Sequence, residues 1–288
     1  MAVIGGTKVN PKRFHLNQLP IYAYIIPIAI FMGAPILFII NNAFKPADEI
    51  FAYPPRFFVN QPTLDNFRKL FNQTSSSAVP LSRYVFNTLT ITAIVVLMTV
   101  LIGTVAAYAL SKMRFKGAKI VSEANNAALM FVGTAVTIPT YLVVSALSIM
   151  DTYLAHILPL LATPVGLFLV KQFVDQVPDE LIEAAQIEGA NVMTVYRKII
   201  MPLIRPAVAT MAMLAFQSVW NNTVTSSLYV TDESLQTLAF YLQTLPAGTV
   251  QGAGVSAASS LIIFVPNLIL FIVMQSNVMN TMAHSGLK

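Results

Sequence analysis

The chain reads as an all-α integral membrane protein of about six transmembrane helices. Three observations predict this. Hydrophobic residues fill 56% of the 288 positions and charged residues only 10%, at a mean hydropathy of +0.69, whereas a soluble domain keeps roughly a quarter of its residues charged. Long charge-poor runs recur along the chain, each able to supply the ~20 residues that cross ~30 Å of hydrocarbon. With the N-terminus placed inside, 12 of the 17 basic residues fall on the cytoplasmic side, the bias that sets membrane topology.

The runs are residues 19–42, 84–111, 124–150, 152–170, 206–231 and 259–275. The first follows Lys8, Lys12 and Arg13 as a signal peptide would. It is too long for such a segment and lacks a small-x-small cleavage site, so it reads as an uncleaved helix, bent at Pro27 and Pro35. The third run is diluted by Asn125, Asn126, Thr134, Thr137 and Pro139; a polar span is expected to face protein and not lipid. The fourth holds His156 as its one ionisable group, without a metal-ligand neighbour, which marks a structural histidine.

Lys112, Arg114, Lys116, Lys119, Lys171, Arg197, Lys198, Arg205 and Lys288 join the three N-terminal cations on the inner side, so both termini are expected in the cytoplasm. The basic excess is thus a topology signal, and it gives no footing to nucleic acid. Residues 1–81 form one unit, an inner tail, the first span and an outer segment; residues 82–280 form a five-helix core with an inner loop at 171–206. In the outer segment, Phe51, Tyr53, Phe57, Phe58, Phe67 and Phe71 among Pro46, Pro54, Pro55 and Pro62 predict a packed cap, with an amphipathic turn or two at 63–72. Pro246, Gly248, Gly252 and Gly254 predict an irregular second outer loop at 231–254.

The 171–206 loop is longer than a connection needs. Val177-Pro178 precedes Asp179, Glu180 and Glu183, a proline and acids suited to a helix N-terminus, and Gly189 stands where a left-handed terminator is expected. At ~100° per residue, Leu181, Ala184, Ala185 and Glu188 share one stripe, whose two alanines leave a shallow surface. Asn191 is placed to cap a second helix through Ile200, stopped by Pro202 and Pro206. On these grounds the loop is either a docking surface or a connector.

Polar groups within spans are the candidates for a solute path: Asn87, Thr90, Thr92, Thr137, Tyr141, Asn221, Asn222, Thr223 and Thr225, with Trp220 beside them. The alternative is that these groups satisfy backbone carbonyls or hold helices together. The absence of cysteine excludes disulfides and thiol chemistry. There is no Gly-Lys dipeptide for a P-loop, no HExxH and no Ser/His/Asp grouping, so neither a cofactor, a metal nor catalysis is expected. Spans nearly free of ionisable groups argue against an ion-coupled carrier.

Glu183-Ala184-Ala185, Gly189-Ala190, Ile200-Met201-Pro202 and Pro206 together resemble the EAA loop of binding-protein-dependent ABC importer permeases. The wider resemblance is to the carbohydrate branch, and within it to the second permease subunit of maltose-type systems. It is carried by Asn87-Thr88-Leu89, Ala106-Ala107-Tyr108-Ala109-Leu110, Phe115-Lys116-Gly117, Thr152-Tyr153 with Leu158-Pro159, and Phe216 with Trp220-Asn221, from residue 84 to the end of the sixth span. Glu188, Asp151 and Asn222 depart from the family pattern, and the tail from 274 follows it loosely; these departures bear on the solute class. The resemblance implies a type I importer permease in a bacterial plasma membrane. Asp179, Glu180, Glu183, Ala184, Ala185, Glu188, Gly189, Ala190 and Pro202 would then form a coupling loop docked on an ATP-binding subunit. The implied partners are a second permease, two copies of that ATPase subunit and an extracellular binding protein, and the implied solute is a sugar or oligosaccharide. A permease for peptides or amino acids would share the loop.

Overall fold

The computed structural model describes residues 18–54, 56–75, 78–245 and 252–285. Lys8, Lys12, Arg13, Pro55, Pro246, Gly248 and Lys288, used above, lie outside them. Among the described residues all regular secondary structure is helical, without strands. Three helices are each long and apolar enough to cross a membrane: α1 (Leu19–Phe44), α3 (Leu81–Lys112) and α13 (Gly252–Ser285). By length and composition, three bent pairs bring the candidate spans to six when each pair is counted as one: α4 (Ala118–Ala128) with residues 133–146, α6 (Tyr153–Leu161) with α7 (Pro164–Asp175), and α9 (Val192–Leu203) with α10 (Arg205–Trp220). Between α1 and α3 lies α2 (Asp65–Ser75), and α5 is Thr137–Ala146. The inner loop carries α8 (Asp179–Ile187), and the last connection holds α11 (Val224–Tyr229) and α12 (Leu238–Thr244).

Four expectations are corrected. The third span is not one run, since α4 and the helical stretch after Gly133 meet at 112°; hydropathy counts apolar residues but carries no direction. In the segment 231–254, the described residues 231–245 and 252–254 are ordered and mostly helical, not irregular. Asp232 accepts the Ser234 N–H, α12 follows, and Gly252 and Gly254 belong to α13. The second loop helix runs past Pro202 to Leu203. A π-turn at Tyr196–Ile200, in which Met201 N–H reaches Tyr196 O, widens the helix ahead of the proline and accommodates its ring. The break falls at Ile204, where the axis turns by 81°. The fourth correction, to the stripe of α8, belongs with the loop and is given below.

The centre of the bundle is α3, α7 and α10. Met211 on α10 lies between Gly103 of α3 and Gly166 of α7; a Cβ at Gly103 would sit 2.0 Å from Met211 Cε and one at Gly166 3.1 Å from it. Small residues let the backbones approach this closely, the main source of helix affinity where lipid removes the hydrophobic difference. α13 packs on α10 and α1. The apolar side chains of α1 are largely uncovered, Phe31 being 80% exposed, so this helix needs lipid or another chain against it.

At the end remote from the 176–204 loop, Asn66 of α2 is buried and its amide donates to Ala43 O (3.0 Å) and Lys45 O (2.7 Å). These are carbonyls left open by the end of α1. Gly254 admits this contact, since a Cβ there would lie 2.3 Å from Asn66 Oδ1. Lys45 is buried with it, its ammonium donating to Arg56 O.

Candidate functional site

Two places concentrate chemistry, the loop after α7 and a cavity beside the end of α10. In the loop, α8 opens at Pro178 in extended backbone with Asp179 and Glu180 in its first turn. It closes in the two bonds of a Schellman terminator: Ala190 N–H donates to Ala185 O (2.9 Å) and Gly189 N–H to Gln186 O (2.9 Å). Gly189 has φ +84° with open space where a Cβ would stand, so its requirement is purely conformational. Asn191 caps α9, accepting the Thr194 N–H at 2.8 Å.

The face of α8 turned to the core is Ile182, with Ala185 half-buried beside it, packed with Val174, Val177, Val195 and Ile200. This corrects the stripe expected from the sequence. Ala185 turns inward and Ala184 outward, and the free side presents Asp179, Glu180, Leu181, Glu183, Ala184, Ile187 and Glu188. Ile187, 88% exposed, was missed; an isoleucine just ahead of the terminating glycine was the available signal. A groove of about 260 Å³ between Val177, Pro178, Leu181 and Leu203 flanks the helix.

Sequence reading also missed what fastens the loop to α3. The side chain of Lys112 is 8% exposed, and its ammonium donates to Val177 O (2.6 Å) and to Asp179 Oδ1 (2.7 Å). Ser111 donates to Asp175, whose other oxygen accepts from Lys171 at 2.8 Å. One helical turn and more above, the hydroxyls of Thr104 and Tyr196 lie 2.7 Å apart and the Tyr108 and Tyr196 rings meet at 5.7 Å. A cation with a buried stem at a helix C-terminus is well placed both for the helix dipole and for the acid it faces.

The candidates for a path are dispersed. Asn87 is fully buried and fully used: its amide donates to Ser234 O (2.8 Å) and Gln236 O (2.9 Å), and its oxygen accepts from Tyr153 (2.7 Å). It fastens the remote end and keeps no group for a solute. Thr137 bonds Gly133 O (3.2 Å), and Tyr141 lies 6.3 Å from the Tyr229 ring. Trp220 is buried, stacked on Phe216, with its indole N–H on Ile263 O of α13 (3.1 Å). Asn222 accepts the N–H of Thr225, starting α11, and the Thr225 hydroxyl oxygen lies 2.9 Å from the same amide oxygen. Of the named candidates, Asn221 and Thr223 open on a cavity of about 450 Å³, shared with Gln243 of α12 and Ser256, Ser259 and Ser260 of α13.

His156 is buried with both ring nitrogens engaged, Nε2 on Leu235 O (3.2 Å) and Nδ1 on the Thr225 hydroxyl (2.8 Å). If Nε2 carries the proton for the carbonyl, Nδ1 accepts from Thr225. Asp151, in the turn before α6 at φ +55°, accepts the N–H of Thr231 and of Asp232 and the Thr231 hydroxyl. Those donors, the hydroxyl first, hold its carboxyl below the usual carboxylate range.

The profile of the family described as binding-protein-dependent transport system inner membrane component matches residues 115–278. The chain belongs to that family. This inner-membrane component is 26% identical over 275 residues to the inner membrane ABC transporter permease protein YcjP of Escherichia coli K12, covering 95% of this chain and 97% of the relative. It is 28% identical to the arabinooligosaccharides transport system permease protein AraQ of Halalkalibacterium halodurans, covering 93% and 94%. Among solved structures, a chain of a bacterial ABC transporter that imports the acidic polysaccharide alginate superposes with a TM-score of 0.76 at 20% identity, over 92% of this chain and 99% of that one. That likeness shows a shared fold, and the family makes this chain a multi-pass membrane permease subunit.

Proposed function

We propose that this permease is one half of the membrane channel of an ATP-driven importer for a sugar or oligosaccharide, with a second permease as the other half. The observation that carries the reading is α8, an amphipathic helix whose inner edge is locked to the bundle while its acid, alanine and isoleucine side is free. Such a surface suits docking of two copies of an ATP-binding subunit, one of them on this chain. Both termini and the loop then lie in the cytoplasm, and the 43–80 and 230–245 segments meet a solute-loaded binding protein outside. Closure of the ATPase subunits moves α8, and the Lys112 and Tyr196 fastenings pass that movement to α3, alternating access to the path.

The sugar reading draws on the carbohydrate solutes that relatives such as AraQ carry in their names and on the neutral polar character of the cavity at Asn221. The test is purification of the tagged chain from its own membranes in mild detergent, with the co-purifying proteins identified by mass. A second permease and a P-loop ATPase at two copies per complex are expected. A homo-oligomer of this chain that transports in liposomes without ATP would overturn the proposal.

A further inference from the structure

We infer that the cavity at the end of α10 is a subsite for an uncharged, polyhydroxylated solute and disfavours uronates and other anions; the inference rests on the importer reading. The first ground is where the helix stops. α10 has 16 residues, a rise of about 24 Å at 1.5 Å per residue. With the charged Arg205 set at the inner edge of the ~30 Å hydrocarbon layer, the non-helical stretch 221–223 falls within it, where irregular backbone is tolerated only inside protein or along a water-filled cavity.

The second ground is chemical. The polar lining consists of two amides, Asn221 and Gln243, and four hydroxyls, Thr223, Ser256, Ser259 and Ser260. Amides and hydroxyls both donate and accept, as sugar hydroxyls do. Residues 206–231 and 234–283 contain no Asp, Glu, Lys, Arg or His, so neither span can neutralise an anion. An unpaired carboxylate in such surroundings costs several kcal/mol. The volume, about 450 Å³, falls within the ~300–1,000 Å³ of small-molecule sites.

The third ground is one hydroxyl. Serine in a helix usually returns its hydroxyl to the carbonyl four residues back, and Ser260 does so, on Ser256 O at 2.9 Å. Ser259, next to it and buried, does not; its Oγ has no hydrogen-bond partner among the described residues. A buried hydroxyl left unpaired is destabilising, and a solute hydroxyl at this position restores its missing bond. The wall behind is rigid, because the Trp220 indole and the Asn267 amide both bond Ile263 O, and Asn267 also bonds Asn221 Oδ1 at 3.0 Å.

The chain lacks cysteine, so Ser260→Cys introduces its one thiol, at an exposed position on the lining that spares Ser259. The experiment uses the complete transporter, co-purified and placed in lipid vesicles. Uptake is measured for radiolabelled neutral oligosaccharides and for an oligouronate, and labelling of this chain by methyl methanethiosulfonate is followed by mass. A transported neutral sugar at about four times its half-saturating concentration is expected to slow labelling about fivefold, in proportion to the free fraction, and the oligouronate to leave it unchanged. Labelling indifferent to a sugar that is being transported would overturn the subsite, as would a thiol kept unreactive by the second permease. Uptake selective for the oligouronate would overturn the uncharged class. Uptake of no sugar, with no ATPase co-purifying, would instead bring down the importer reading on which the inference rests.

Discussion

The two ends of α3, about 48 Å apart at 1.5 Å per residue, are fastened by different chemistry. At the loop end the contacts are ionic: Lys112 on Asp179, Lys171 on Asp175, with carboxylates open to water. At the remote end no carboxylate takes part and the buried contacts are neutral: Asn87 on two carbonyls and Tyr153, and the Thr88 hydroxyl on the Leu238 N–H at 2.8 Å, with Arg83 at the helix start donating to the Ser234 carbonyl at 3.0 Å. A charge is tolerable where solvent reaches it and costly where it does not, so the loop end can break and reform its contacts while the remote end holds. The contrast suits a helix moved from one end. It also states which end stability depends on and which end coupling depends on.

Substitutions can break that comparison. The largest loss of stability is expected at the remote end. Asn87→Leu strands the Gln236 carbonyl and the Tyr153 hydroxyl and leaves Ser234 O to Arg83 alone, and at ~1–3 kcal/mol for a buried unpaired group should cost about 2–3 kcal/mol, read as a lower midpoint in detergent thermal unfolding. An unchanged midpoint would remove Asn87 from its fastening role. Gly254→Ala comes next, because its Cβ meets an Asn66 held by fixed carbonyls; about 1–3 kcal/mol is expected from overpacking. Gly103→Ala should cost less, since the atom it meets is the mobile tip of Met211, and comparing the two midpoints checks this.

Changes in the loop are expected to act on coupling more than on stability. Gly189→Val forces a β-branched residue into left-handed backbone, a strain of ~1–2 kcal/mol. It should leave the protein in the membrane while ATP hydrolysis in the complex proceeds without matching solute uptake. Normal coupled uptake would sink the role given to α8. Lys112→Met should lower unfolding stability by about 1–2 kcal/mol, an ion pair with an exposed partner together with the bond to Val177 O, yet reduce solute moved per ATP, with Lys112→Arg restoring most of it. The smallest effect concerns acid. Because the Asp151 carboxyl titrates lower when folded, its contribution is present above the ordinary carboxylate range and is lost as pH falls through its lowered value. Protection of the 231–232 amides from hydrogen exchange should therefore persist at mildly acidic pH and disappear only in strong acid, whereas loss near neutrality would contradict the bonding seen.

Legibility differed by locality. The ends of α8 and the cap of α9 could be read from residues because Pro178, Gly189 and Asn191 act on backbone within a few positions. The inward edge of α8 could not be read, because Ile182 and Leu181 are equally apolar and only Val174 and Val195 decide which is covered. Trp220 and Asn87 were picked out as polar groups within spans, a sound criterion for a partner inside the protein. It could not say whether that partner was a solute, and both proved to bond backbone carbonyls of this chain. Ser259 gave no signal at all, since one serine among the small residues of 252–260 becomes distinctive only when its neighbours' bonds are known.

By itself the sequence determined the membrane class, the number of apolar runs and the form of the 171–206 loop. These follow from hydropathy, charge and backbone preference, which act over a few residues or over whole segments. Only the tertiary structure decided that the third run breaks at 112°, that Met211 threads two glycines, that Lys112 reaches Asp179 across 67 positions, and that α10, α12 and α13 line one polar cavity. Each of these depends on which distant side chains meet, and packing between helices in lipid turns on shape and single hydrogen bonds that no local pattern records.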